Sequence, residues 1–327
     1  MQTVQLPNTK RRTTRLGYGC SSVMGGMDRR ESLRILETAF DEGVRHFDVA
    51  PMYGYGAAEG CLGEFLSRHS GQVTVTTKFG IPPAKNPGVL QLARRVAKPI
   101  LNAIPALKQR AQQAAAAASG PAAPRDLSAA SAQASLQNSL RELRVDGIDI
   151  FLLHDARPHE LRDNEALLEM LQRAQQAGSI GAFGIGTDRE DAAVIQHESP
   201  AFASVIQCEW SVFNPIGDDA AFGIHHRALA SNLRRLQRYL ATSPLVARKW
   251  SAEINADLSQ PGILGELMMR SSLSAYPGSI VLFSSKNAHH IQHNASLTDP
   301  SPLDAAAQAL YTLVQREAST IPEERAA

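Results

Sequence analysis

The chain has 327 residues, 43% of them hydrophobic, which is enough for a large core; two domains would fit that length, but α/β barrels reach it as one. A net charge of +1 removes any general electrostatic reason to expect nucleic acid or membrane partners. Three scattered cysteines without a CxxC pair, and no apolar run of signal-core or membrane-spanning character, lead to the expectation of a cytoplasmic protein with reduced thiols.

Strand-like apolar runs alternate with amphipathic helical runs along most of the chain. Strand one is expected at Arg15–Gly19, followed by a helix with Leu33, Ile35, Leu36 and Ala39 at helical spacing and Gly43 as its stop. Strand two spans Arg45–Val49. A helix over Glu59–Arg68 turns Leu62, Phe65 and Leu66 inward, and strand three is Val73–Thr77.

The rhythm then breaks at FGIPPAKNPG, so an insertion is expected over about 80–127, basic at first and Ala-rich at its end. Its root follows a strand, which suits a lid or pocket wall; a flexible surface excursion fits the composition equally. A helix resumes over Leu127–Leu143 with Leu136, Leu140 and Leu143 on one side. Strand four is Ile148–Leu153, and a helix over Glu165–Ala177 closes at Gly178. IGAFGIG is strand five, SVIQCEW strand six, FGIHHRAL strand seven and SIVLFSS strand eight. Eight parallel strands with crossover helices make a single (β/α)8 TIM barrel of the α/β class, one domain over 1–327.

Asp48, Tyr53, Lys78 and His154 each come at or just after such a strand. In a parallel barrel all strand C-termini open on one face, so these four residues converge although they are remote in sequence. Together they suit a proton donor for carbonyl reduction. A tyrosine is a weak acid with a pKa of about 10, a lysine cation favours its ionised form, an aspartate can hold the lysine, and an imidazole can orient a carbonyl. Taken singly, Tyr53 is equally a loop tyrosine, Lys78 and Asp48 a surface pair, and His154 a strand-end histidine.

In the contexts VRHFDVAPMYGYG, VTVTTKFG and IDIFLLHDA, the set resembles the aldo-keto reductase superfamily of single (β/α)8 barrels, continuously from about Thr14 to Cys208 and again over the last strand and helix. That resemblance implies NAD(P)H-dependent, reversible reduction of an aldehyde or ketone to an alcohol. Tyr53 would be the general acid/base, tuned by Lys78 and Asp48, with His154 on the carbonyl oxygen.

The chain lacks a GxGxxG after its first strand, so a Rossmann site is unsupported. The resemblance instead implies cofactor contacts from Ser284, Ser285 and Lys286 to the adenosine ribose and 2′-phosphate, Asn294 to adenine, Gln207 to the carboxamide and Arg227 to the pyrophosphate, with His226 against the nicotinamide. The alternative for the first segment is an ordinary strand-to-helix connection capped by Ser285. Two positions depart from the family pattern: Gly186-Thr187 stands where Ser-Asn is common, leaving Thr187 a single hydroxyl, and His290 stands near the usual arginine. NADPH is therefore expected, with NADH possible. Met24, Met52, Tyr55, Phe79 and Trp210 offer an apolar substrate surface or else core and rim packing.

Two other classes compete: a cofactor-binding, redox-sensing regulatory barrel with little turnover, and a metal-dependent barrel hydrolase. The second is disfavoured because no HxH-type strand-end motif is present and His225, His226 and His290 lack ligand spacing.

Overall fold

A computed structural model describes residues 1–25, 27–82, 125–217 and 221–323. Most of the insertion expected over 80–127 lies outside the described residues. Its two ends are tied together, the Asp126 N–H donating to the Gly80 carbonyl at 3.0 Å.

The chain begins with an antiparallel hairpin, β1 (Thr3–Gln5) and β2 (Arg12–Thr14). Eight parallel strands then close a barrel in chain order: β3 (Leu16–Gly19), β4 (His46–Asp48), β5 (Thr74–Phe79), β6 (Ile148–His154), β7 (Ile180–Gly186), β8 (Val205–Glu209), β9 (Phe222–His226) and β10 (Ile280–Phe283), with β10 pairing back onto β3. The (β/α)8 class is therefore observed. Strand three differs at its C-terminal end: β5 runs on to Phe79, so Lys78 is a strand residue rather than one that follows the strand.

Strand alternation decides which side chains face the barrel axis. On β6, Phe151 and Leu153 pack outward against the helices, whereas Ile150 and Leu152 join Ala182, Val205, Ile224, Ile280 and Leu282 in a separate inner cluster. The same parity carries inward Asp48 on β4, Lys78 on β5, His154 on β6, Gln207 on β8 and His226 on β9. Register keeps them near one level, pairing Lys78 with Leu152, His154 with Gly186 and Gln207 with Ile224.

The opposite end is plugged by the hairpin, which inserts Leu6 into the inner cluster. Arg11 fastens it by an ion pair to Asp149 at 2.7 Å and a hydrogen bond to the Val73 carbonyl at 2.6 Å. Asp149 also accepts the Val75 N–H at 2.8 Å, and burial lifts its carboxyl to about 6 against the pull of Arg11.

The helices follow their sequence signals. Arg29–Asp41 begins in a capping box in which Asp28 accepts the Glu31 N–H and Glu31 accepts the Asp28 N–H, and it buries Ile35, Leu36 and Ala39. Three helices between β9 and β10, Ala230–Thr242, Pro244–Ile254 and Ile263–Ala275, were not expected; with Leu303–Glu317 they build a second cluster around Leu236, Trp250, Leu267 and Leu310.

Glycine permits close strand approach at Gly184 on β7, where an added Cβ would overlap the Val205 carbonyl on β8. Gly184→Ala should therefore cost about 1–3 kcal/mol of overpacking, read as a lower urea midpoint. An unchanged midpoint would mean that β7 and β8 are not packed this closely.

Candidate active site

Asp48 ends β4, and the chain then makes a tight 3-10 turn, Tyr53–Gly56. Gly54 lies at φ 58° with its Cα surface pressed on Val23 and Met24, where a Cβ would come within 2.6 Å of the Val23 carbonyl. Only glycine suits that combination of backbone and space. The turn thereby sets Tyr53, half-buried, beside Lys78 and His154.

Lys78 and Asp48 form an ion pair of 2.6 Å, with side chains only 2% and 5% exposed. Lys78 also donates to the Val49 carbonyl at 3.2 Å, and Gln207 Nε2 donates to the other Asp48 oxygen at 2.7 Å. Both carboxylate oxygens thus have donors, as a buried charge requires. The Lys78 ammonium lies 5.4 Å from the Tyr53 ring centroid, and the His154 imidazole meets that ring edge-on at 6.2 Å and 85°. The four catalytic residues expected from the sequence are therefore brought together.

Electrostatics gives each a protonation state. Lys78 exerts the largest influence on Tyr53 and lowers its pKa, but burial with Asp48 and Cys20 outweighs it, so the phenol titrates above its ordinary value and holds its proton at neutral pH. This reverses the net direction expected from the lysine alone. For Lys78 burial is the largest influence and pushes the ammonium down, yet Asp48 and Tyr53 carry it above the usual lysine value. Burial, then the Lys78 and His226 charges, press His154 down to about 3, so its imidazole is neutral. Its Nδ1 is buried without a hydrogen-bond partner among the described residues.

The other expected contacts scatter around this centre. Thr187 follows β7 and donates its hydroxyl to the Ala156 carbonyl at 2.8 Å, which leaves it only lone pairs to offer. His226 faces the centre, and burial, then Lys78 and Arg227, depress it to about 4. Arg227 is exposed and pairs with Glu209 at 3.2 Å. Past β10, Ser284 and Lys286 are exposed, Ser285 accepts the Asn287 N–H at 3.1 Å, and Asn294 is half-buried on the helix Ala288–Ser296. Asn287, rather than Ser285, caps that helix through the His289 N–H at 2.9 Å.

Phe79 stacks on Phe151 at 4.9 Å, and Trp210 is 1% exposed beside Tyr276 and Tyr311, so both are core residues rather than substrate surface. Residues that sequence reasoning missed support the rim. Arg125 donates at 2.6 Å to both the carbonyl and the carboxylate of Asp155, the residue after His154, and Tyr18 donates to the Ser285 carbonyl at 2.7 Å. Asp155 directly after His154 was the one visible signal for the first; Tyr18 carried none.

An eight-stranded parallel barrel with its buried ion pair and polar cluster at the strand C-termini defines the class of protein. Within that class, the Aldo/keto reductase family model matches residues 15–222, more than half of the chain, and the chain belongs to that family, one of oxidoreductases acting on carbonyl substrates. It is 30% identical to the D-threo-aldose 1-dehydrogenase of a Pseudomonas species over 187 residues, 54% of this chain and 51% of that relative. It is 37% identical to the pyridoxal 4-dehydrogenase of Microbacterium luteolum over 91 residues, 23% of this chain and 26% of that one. The chain thus spans about half or less of the curated relatives it matches. In fold it is similar to an aldo-keto reductase from Bacillus halodurans in its holo form, at 18% identity and a TM-score of 0.67 over 96% of both chains. It is likewise similar to a glycerol dehydrogenase from Gluconobacter oxydans, at 18% identity and a TM-score of 0.67 over 99% of this chain and 98% of that one. No described helix is long and apolar enough to cross a membrane.

Proposed function

We propose that this chain reversibly reduces an aldehyde or ketone to an alcohol, with Tyr53 as general acid/base. The supporting observation is a protonated phenol set over a buried Lys78–Asp48 pair and edge-on to a neutral His154. A carbonyl oxygen between Tyr53 and His154 receives two hydrogen bonds, and these strengthen as negative charge develops on it. Tyr53 then passes its proton to that oxygen, while Lys78 stabilises the resulting phenolate and Asp48 keeps Lys78 in place. In the reverse direction the phenolate withdraws the alcohol proton.

A nicotinamide cofactor, when bound, supplies or accepts the hydride. The residues fit such a group. Gln207 spends its N–H on Asp48 and Thr187 spends its O–H on Ala156, so the Gln207 carbonyl and the Thr187 lone pairs suit the amide N–H bonds of a carboxamide. Arg227 would exchange Glu209 for pyrophosphate oxygens. Ser284, Ser285 and Lys286 would take the ribose and its 2′-phosphate beside a helix N-terminus, with Asn294 on adenine. A steady-state assay with a panel of aldehydes and ketones tests the reading; a chain that binds NADPH but turns none of them over is instead a regulatory barrel.

Lys286 bears on cofactor choice. Its charge favours the 2′-phosphate, while His290 offers no bidentate clamp, so a modest preference for NADPH over NADH is expected. Lys286→Ala should weaken NADPH binding about five-fold at low salt and leave NADH unchanged, with the difference shrinking as salt rises. Equal losses for both cofactors in isothermal titration would place Lys286 away from the phosphate.

A further inference from the structure

Asp48 and Lys78 are held by hydrogen bonds of their own side chains, but His154 is not held in that way at Nδ1. That nitrogen is buried without a hydrogen-bond partner among the described residues, and the ring meets Tyr53 edge-on. The aim of the imidazole therefore depends on the main chain that carries it.

That chain takes an uncommon path. The β6–β7 ladder reaches the His154–Gly186 pair, and the next N–H, that of Asp155, donates to the Gly186 carbonyl at 2.6 Å. At Asp155 the backbone turns to φ 57°, a left-handed conformation that residues with a Cβ seldom adopt, aspartate more readily than most.

Four charged side chains close around this turn. Arg125 Nη1 donates at 2.6 Å to both the carbonyl and the carboxylate of Asp155, and its Nη2 donates to Glu160 at 3.2 Å. The second Glu160 oxygen accepts the Arg157 N–H at 2.8 Å, and Arg157 Nη2 returns to the Asp155 carboxylate at 3.2 Å. Arg157 is tied outward in turn to Asp188 and Asp191, at 2.8 and 2.6 Å, where the helix Arg189–Glu198 begins. Arg125 is thus the member of the ring that grips the main-chain oxygen one residue past His154.

We propose that Arg125 is a positioning residue for the reduction: by clasping Asp155 in its left-handed turn, it fixes the direction in which His154 presents its imidazole to the carbonyl oxygen. This role rests on the reading of His154 given under the proposed function. Without the clasp the turn relaxes and the ring moves with it, and a misplacement of about 1 Å costs on the order of a hundred-fold in rate.

The test alters Arg125 in the full chain and follows His154 directly. With histidine labelled by 13C at Cε1, the His154 resonance is assigned by its absence from His154→Gln. It should shift or broaden in Arg125→Leu and return part of the way in Arg125→Lys, which restores a cation but not the forked contact. The resonance of His69, which bonds to Glu37 at 2.7 Å, should stay in place. With NADPH and 4-nitrobenzaldehyde, kcat/KM for the aldehyde should fall about ten- to a hundred-fold in Arg125→Leu, while NADPH affinity stays near that of the unaltered chain. The Arg125 and Asp155 side chains are 25% and 44% exposed, so the urea midpoint should change little, which separates a misaimed ring from a loss of folded protein. In the His154→Gln background Arg125→Leu should add no further loss, because both changes act through one ring. An unmoved His154 resonance in Arg125→Leu would overturn the proposal, as would fully additive losses or a fall in NADPH affinity that matches the fall in kcat/KM. His154→Gln with undiminished kcat/KM would instead remove His154 from the carbonyl, and the resonance distinguishes that failure from a failure of the clasp.

Discussion

Tyr53→Phe is expected to lower the rate of carbonyl reduction by about a hundred- to ten-thousand-fold, the usual cost of losing a general acid. The ring, its packing against Gly54 and its edge contact with His154 all survive the change, so NADPH affinity, measured by fluorescence titration, should stay near that of the unaltered chain. His154 cannot substitute as a strong acid because it is held at about 3 and is neutral throughout the working range. The pH profile should agree in sign. A phenol raised above its ordinary value stays protonated across neutral pH, so reduction should be level there and decline only under alkaline conditions, while alcohol oxidation should rise as the phenolate forms. No step near the ordinary histidine value should appear. Near-normal turnover in the phenylalanine variant would remove Tyr53 from the mechanism.

Lys78→Met should damage both stability and rate. Asp48, 5% exposed, would keep only the Gln207 donor and stand as a buried charge without its cation, which typically costs about 3–5 kcal/mol. Tyr53 would lose the strongest influence lowering its pKa, so the phenolate would be harder to form and proton transfer slower. Asp48→Asn in the methionine background should then restore stability, because it removes the uncompensated charge, without restoring rate. The two substitutions are accordingly non-additive in urea unfolding and in turnover. If the double variant instead showed the sum of two independent penalties, the pair would not be the coupled support of Tyr53.

Much of this was legible in the sequence because barrels repeat a local rule. An apolar run long enough to be buried on both sides reads as a parallel strand, and a polar residue at its end reads as a group on the open face. That sufficed for eight strands and for Asp48, Lys78 and His154, whose positions follow from strand order and from alternation along each strand, and for Tyr53, which follows strand two in the turn Tyr53–Gly56. It sufficed as well for the helices with clear stripes and caps, such as Arg29–Asp41.

What only the tertiary structure decided depends on contacts between distant segments. The net direction of the Tyr53 shift comes from burial and from Cys20, neither of which local spacing encodes. Gln207 turns out to spend its amide on Asp48, a residue 159 positions away. Arg125 is pinned to the carbonyl and carboxylate of Asp155 across 30 positions. Between β8 and β9 the described residues form no crossover helix, and a pattern of apolar periods reveals which elements are present but not which surface is left uncovered. Short-range periodicity specifies what each segment is; where side chains lose water and meet partners is specified only once the segments pack.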